Sequence, residues 1–264
     1  MAMNKEVRFF FGKTVLAIAN PMVRRAMADH FRHQGAEDIL QPTDWDGLRK
    51  VLDEESIATL VADDTLSEQA TGPLVRDIRK GALHDHPFPL VIMLAHEQAE
   101  LHLRELIDCG PDAIVLAPVS ITDLFSKIDR LAAGRKPFVV THDYVGPDRR
   151  TAPREGANQP LIIEAPNPLA AGTTEESFRQ AASAGTSELQ AAQVQCSLGQ
   201  LAWALRPGGS NDFSKLIPAL ELLVRSSGKA PLQQAAEGMI QAIHKNDKTA
   251  MVGWAQKLLV AKNK

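Results

Sequence analysis

The chain has 264 residues, 44% of them hydrophobic and 23% charged, with a formal net charge of −3. This is a globular composition able to bury a sizeable core, and the slight acidic balance argues against a strongly basic nucleic-acid binder. No apolar run reaches the roughly 18 residues a membrane-crossing helix needs, the N-terminal stretch lacks the pattern of a signal peptide, and the two cysteines, Cys109 and Cys196, have no metal-ligand spacing and fit a reducing cytoplasm. Short apolar runs bounded by turn residues mark five strands: Thr14–Ala19, Glu37–Leu40, Ala58–Ala62, Pro89–Leu94 and Ala113–Leu116. A helical pattern follows each. Val23, Ala26, Met27 and Phe31 share one face before a stop at Gly35. Thr43 caps a helix burying Trp45, Leu48, Val51 and Leu52. Pro73 opens a helix with Leu74, Val75 and Ile78 that stops at Gly81. Leu103, Leu106 and Ile107 lie in a helix ending at Gly110, and Ile121, Leu124, Phe125, Ile128 and Leu131 line the fifth. Five β-α units predict an α/β fold, a doubly wound five-stranded parallel sheet of the flavodoxin-like kind over 13–133. Such sheets bind ligands beyond the carboxyl ends of their strands.

Six prolines between Pro137 and Pro168 then break both helix and central strand, so 134–172 reads as a Pro-rich extended linker. Beyond it, 173–264 reads as a small all-helical region. Its apolar stripes are Val194, Leu198, Leu201 and Leu205, ending before Pro207; Phe213, Leu216, Ile217, Leu220, Leu223 and Val224, capped by Ser210 or Asn211; Leu232, Ala236, Met239, Ile240 and Ile243; and Met251, Val252, Ala255, Leu258 and Leu259. Residues 1–150 carry 18 Lys and Arg against 23 Asp and Glu, and residues 151–264 carry 11 against 9. So weak a positive balance argues against a DNA-reading helical domain.

Three stretches of the first half resemble the receiver domain of bacterial response regulators. One is Leu60-Val61-Ala62-Asp63-Asp64 with Gly72 eight residues after Asp64. The second is Phe88 to Ala95 as a fourth strand, and the third is Ala113 to Pro118 as a fifth strand with its following proline. The resemblance covers about half the chain, and the segment from Lys136 to Arg150 is similar to a tail seen after some receivers. It implies that Asp64 is the phospho-acceptor and that a Mg²⁺ ion sits beside it. The other positions depart from the pattern. The two acidic residues implied at the end of the first strand are Ala19 and Asn20, the hydroxyl after the fourth strand is Leu94, the lysine before the proline is Ala117, and the aromatic switch position is Ile114. Asp63 is left as the one additional carboxylate. Phosphoryl transfer depends on positioning and charge stabilisation, and Mg²⁺ draws most of its affinity from carboxylates. The expectation is therefore a pseudo-receiver that binds Mg²⁺ weakly through Asp64, if at all, needs no other cofactor, and acts by protein–protein contact. Alternatives are a receiver switched by phosphorylation at Asp64, and an oligomerising scaffold built on the helical region. The implied partners are signalling proteins, a histidine kinase or a downstream effector, or a second copy of the chain.

Other constellations give less. His84-Asp85-His86 lies on a polar loop with no further ligand placed by the sequence, His96-Glu97 does not extend into a zinc-protease motif, and both read as solvated. Arg149 and Arg150 offer guanidinium groups to an acidic partner, against a tail in which Tyr144 packs on the body. Cys109 has no base placed beside it and reads as a small buried hydrophobe. His244-Lys245 precedes a helix end rather than a mid-helix phosphotransfer site. No phosphate-cradling glycine loop and no nucleophile elbow occurs, so no enzyme is expected.

Overall fold

The computed structural model describes residues 11–150, 160–204, 216–226 and 230–262. The chain forms two compact units, Met1–Val139 with Tyr144–Thr186, and Val140–Asp143 with Ser187–Lys264. Among the described residues no helix is long and apolar enough to cross a membrane.

The first unit begins β1 (Thr14–Ala17), α1 (Pro21–His33), β2 (Ile39–Leu40), α2 (Trp45–Glu54) and β3 (Thr59–Asp63). A short hairpin, β4 (Thr65–Leu66) and β5 (Gln69–Ala70), leads to α3 (Gly72–Lys80), then β6 (Leu90–Ala95), α4 (Glu100–Asp108), β7 (Ala113–Leu116) and α5 (Ile121–Ala133). The main sheet has the order β2-β1-β3-β6-β7 with every neighbouring pair parallel. This is the doubly wound flavodoxin-like order, and its switch point opens a crevice beyond the carboxyl ends of β1 and β3.

Both faces of the sheet are covered, which is why its strands read as continuous apolar runs. Val15, Ala17, Leu60, Ala62, Val91 and Met93 pack on Leu48, Leu52, Leu74, Val75, Ile78 and Leu106 from α2, α3 and α4. The alternate residues Leu16, Val61, Leu90, Ile92, Leu94 and Val115 pack on Met27, Phe31, Leu124, Phe125 and Ile128 from α1 and α5. Helix ends follow ordinary capping. Asp44, not Thr43, caps α2, its carboxylate accepting from the Gly47 amide at 2.7 Å. Ser120 caps α5, and Gly81 ends α3 in the left-handed conformation.

Gly72 has a packing reason. A Cβ there would lie 2.8 Å from Cys109 Sγ. Gly72→Ala is expected to cost about 1–3 kcal/mol by overpacking, read as a lower urea midpoint, and Cys109→Ala in the same chain should return part of it. An unchanged midpoint would show that α3 and α4 move apart freely.

The proline-rich stretch is not a plain extended linker. It carries β8 (Phe138–Val140), β9 (Val145–Pro147) and β10 (Leu161–Ile163), a three-stranded sheet in the order β10-β8-β9. Residues of this stretch are pinned to the amino-terminal side of the main sheet by a buried ionic network. Asp112, just before β7, accepts from Arg79 at 2.8 Å, from Arg135 at 2.8 and 3.0 Å, and from the Val91 amide at 2.8 Å. Arg79 also donates to the carbonyls of Gly110, Pro87 and Pro89, and Arg135 to those of Phe88, Pro89 and Pro166. The Phe138 ring lies 4.9 Å from the Arg79 guanidinium and 5.0 Å from that of Arg135. Among the described residues of this stretch, three short strands pair backbone groups where prolines forbid a helix.

The second unit holds the last part of α6 (Glu175–Ala204) with α7 (Ile217–Ser226), α8 (Ala230–His244) and α9 (Lys248–Lys262). Leu220, Leu223, Leu232, Met239, Met251 and Leu258 form its core. Trp254 of α9 lies against Gly238 of α8, where a Cβ would come within 2.3 Å of the indole ring. Of the apolar positions expected in this region, Leu205 and Phe213 lie outside the described residues, as do the caps Ser210 and Asn211 and the break at Pro207. Nothing is described of the side chains of Leu198, Leu201 and Leu259.

Candidate functional site

The register of β3 on β6 pairs Asp63 with Leu94, and the Asp64 amide donates to the Leu94 carbonyl at 2.9 Å. Asp63-Asp64 and Ala95-His96 therefore lie side by side at the carboxyl end of the sheet, in the switch-point crevice. Asp63, Asp64 and His96 line an open cleft of about 400 Å³ with Ala19, Thr65, Glu97 and His102.

Asp64 is 3% exposed, and its carboxylate is engaged on both oxygens. Oδ2 accepts from the His96 amide at 2.9 Å and from His102 Nε2 at 2.8 Å; Oδ1 accepts from His96 Nδ1 at 3.1 Å. Burial pushes the Asp64 carboxyl up, but the hydrogen bonds from His102 and from the amide and ring of His96 outweigh it and hold the group below its ordinary value. Asp63 is 2% exposed and differently served. Its Oδ2 accepts from the Ala19 amide at 2.7 Å, while its buried Oδ1 has no hydrogen-bond partner among the described residues. Burial pushes the Asp63 carboxyl up, a shift the Ala19 amide and the neighbouring charge of His96 only partly offset.

The imidazoles are what the sequence did not show. His96 is exposed, as the solvated-face reading expects, but it follows β6 directly and its Nδ1 bonds Asp64. His102, in the first turns of α4, reaches the same carboxylate. The available signal was two histidines six residues apart after the fourth strand, a spacing that shares no helical face and matches no motif.

The other expected positions fall around this centre. Ala19 contributes its backbone amide alone. The Asn20 side chain caps α1, accepting from the amides of Met22 and Val23 at 3.0 and 3.2 Å. Leu94, expected just after the strand, lies inside β6 and is buried among the α1–α5 side chains; Ala95 and His96 stand at the strand end. Ala117 forms a cis peptide with Pro118, and its amide donates to the Ala95 carbonyl at 2.8 Å. Ile114 is half-buried on β7 and packs with the α2–α4 side of the core.

The Mg²⁺ implied by the receiver resemblance does not fit this donor set. Mg²⁺ demands near-octahedral oxygen ligation. Ala19 offers no side-chain oxygen, the Asn20 oxygen serves a helix cap, both Asp64 oxygens already accept N–H groups, and Asp63 adds a single buried oxygen, Oδ1. No step through magnesium follows from these residues.

Arg149 and Arg150, expected as partner contacts, are engaged within the first unit. Arg149 donates to the Pro111 carbonyl at 2.6 Å and Arg150 pairs with Asp148 at 2.8 Å. Tyr144 donates to the Pro147 carbonyl at 3.0 Å. Cys109 is buried, donates to the Glu105 carbonyl, and burial pushes its thiol up. His244 is exposed at the end of α8.

His84, Asp85 and His86 bring three ligand atoms within 4.8 Å of one another. The hydrogen bonds argue against a metal there. His86 Nδ1 accepts from the Phe88 amide at 3.1 Å, and burial first of all lowers the ring to about 4, so the neutral ring carries its proton on Nε2, the atom a metal would need.

No family model matches this sequence and no curated protein matches it. Among solved structures it is similar to a LuxR-family DNA-binding response regulator from Staphylococcus aureus, 21% identical with a TM-score of 0.39, over 45% of this chain and 96% of that one. It is also similar to the receiver domain of a Francisella response regulator, 18% identical with a TM-score of 0.39, over 45% and 95% of the two chains. A response regulator receiver protein from Pseudomonas putida is 18% identical with a TM-score of 0.38, over 45% and 96%.

Proposed function

We propose that this protein is a signalling module whose receiver-like unit works by protein–protein contact, without phosphorylation at Asp64. One observation carries the reading: both oxygens of the Asp64 carboxylate are held by intramolecular donors, His96 N, His96 Nδ1 and His102 Nε2. A carboxylate that attacks a phosphoryl donor needs a free oxygen and cations placed for the developing charge. Here the imidazoles take the oxygens, and Ala19, Asn20 and Ala117 supply neither carboxylate nor lysine. On this reading the protein is not an enzyme. It resides in the cytoplasm, and its partners are a histidine kinase, a downstream effector or a second copy of itself.

The test is to incubate the full chain with a small phosphoryl donor and Mg²⁺, beside Asp64→Asn, and to weigh both intact. The expected result is no adduct on either. One phosphate on the wild type, absent from Asp64→Asn, would make Asp64 a working switch and end the pseudo-receiver reading.

A further inference from the structure

The Asp63–His96 side of the cleft holds a buried carboxylate oxygen without a hydrogen-bond partner among the described residues. The Asp64 Oδ1 that faces His96 Nδ1 is a carboxylate acceptor, so Nδ1 carries the ring proton. In the neutral ring this leaves the lone pair on Nε2. That atom lies 3.8 Å from Asp63 Oδ1, the buried oxygen without a hydrogen-bond partner among the described residues. The two atoms stand across a gap too wide for a direct hydrogen bond.

We propose that this gap binds a divalent transition-metal cation of the zinc class, with His96 Nε2 and Asp63 Oδ1 as its protein ligands. The dimensions agree. Zinc sits about 2.0–2.1 Å from an imidazole nitrogen and about 2.0–2.2 Å from a carboxylate oxygen. An ion at these distances from two atoms 3.8 Å apart stands off the line between them, with an angle at the ion of about 130°. The supporting contacts are built as well. Asp64 behind Nδ1 makes the carboxylate–histidine–metal arrangement that fixes the tautomer and makes the ring a better donor. The Ala19 amide holds Asp63 by its other oxygen. His102, bonded to Asp64 Oδ2, steadies the orienting carboxylate. The His96 side chain is 55% exposed and the cleft is open, so an ion can enter and water can complete its coordination, with Glu97 at the rim. A mixed imidazole and carboxylate pair favours zinc, nickel or copper over magnesium.

The inference goes beyond the pseudo-receiver reading and does not rest on it, because phosphate incorporation and zinc affinity are separate measurements. The experiment is calorimetric titration of the full chain with Zn²⁺ at pH 7.5, repeated with 10 mM Mg²⁺ present, a concentration of about the order that saturates weak oxygen sites. The expected result is one ion per chain, undisturbed by Mg²⁺. His96→Ala changes a solvent-facing side chain and should weaken binding at least tenfold, as should Asp63→Asn. Asp64→Asn should weaken it about 10–100-fold through the lost orientation of the ring, and His84→Ala should leave it unchanged. Circular dichroism of each variant checks the fold. A wild type that takes up no Zn²⁺, or affinity unchanged in a folded His96→Ala, overturns the proposal. So does loss of binding in His84→Ala, which would place the ion at the other histidine pair.

Discussion

Asp112→Ala is expected to be the most destabilising single change in the first unit, costing about 3–5 kcal/mol, the range found when one partner of a buried ion pair is removed. Its carboxylate is 1% exposed, between Arg79 at 0% and Arg135 at 1%. Without it, two like charges are left close together under the sheet. The backbone carbonyls around them satisfy N–H groups but carry no compensating charge. Burial pulls the Arg79 guanidinium down, Arg135 adds to that pull, and Asp112 is the main charge opposing both. Burial likewise pushes the Asp112 carboxyl up, but Arg135 and Arg79 outweigh it and hold the group below its ordinary value. A carboxyl depressed in the folded state contributes stability that is complete above its unfolded value, about pH 4, and is lost as pH falls through the folded value. Urea melts at pH 7 read the magnitude. Asp112→Asn, which keeps an acceptor and drops the charge, should fall between alanine and wild type. A loss under about 1 kcal/mol for alanine would mean that water reaches the guanidinium pair and the network is not a dry one.

That network also shows where sequence reading stops. The five main strands are legible because a parallel sheet covered on both faces demands unbroken apolar runs, and the amphipathic helices between them follow the same logic. Arg79 is not legible, since an arginine in a helix that also carries Arg76 and Lys80 beside its apolar stripe reads as a solvated charge until tertiary structure closes over it. The β4–β5 hairpin turns on Ser67 and Glu68, both with positive φ (48° and 65°), at positions where glycine or asparagine would have announced the turn. The strands β8 to β10 are three residues each, too short for periodicity and embedded among prolines. The front of α6 buries Phe178, Ala182, Gly185, Leu189 and Ala192 along one stripe, but most of these are small residues with little hydropathy contrast, so the sequence pattern begins only at Val194. At the cleft, Asp64 is found by position and spacing alone. His96 and His102 are not, because what joins them is the place where α4 starts and not any repeat in the chain.

Removing one of those imidazoles gives the other large effect. His102→Ala deletes the 2.8 Å bond to a carboxylate that is almost wholly buried. Losing a hydrogen bond to a charged group costs about 1.5–3 kcal/mol. His102 is itself 25% exposed, so water recovers part of the loss and about 1–2 kcal/mol is expected at pH 7. The pH dependence separates this from simple loss of packing. In the wild type the Asp64 contribution is complete above about pH 4 and disappears as pH falls through the lower folded value. Without His102 the folded value rises toward the unfolded one, so the acid limb of the stability curve becomes shallower. Asp63 acts in the opposite sense. Its carboxyl is raised by burial, so its contribution is greatest below about pH 4 and is lost as pH rises through its folded value. Carrying Asp63→Asn in every protein compared therefore leaves Asp64 as the buried carboxyl of the cleft that titrates, beside the exposed Glu97. In that background a double-mutant cycle of His102→Ala with Asp64→Asn should give a coupling above about 0.5 kcal/mol at pH 7 that falls as the carboxyl protonates. A coupling of zero, with an acid limb unchanged by His102→Ala, would show that His102 does not hold Asp64 at neutral pH and would take away one of the three donors on which the pseudo-receiver reading stands.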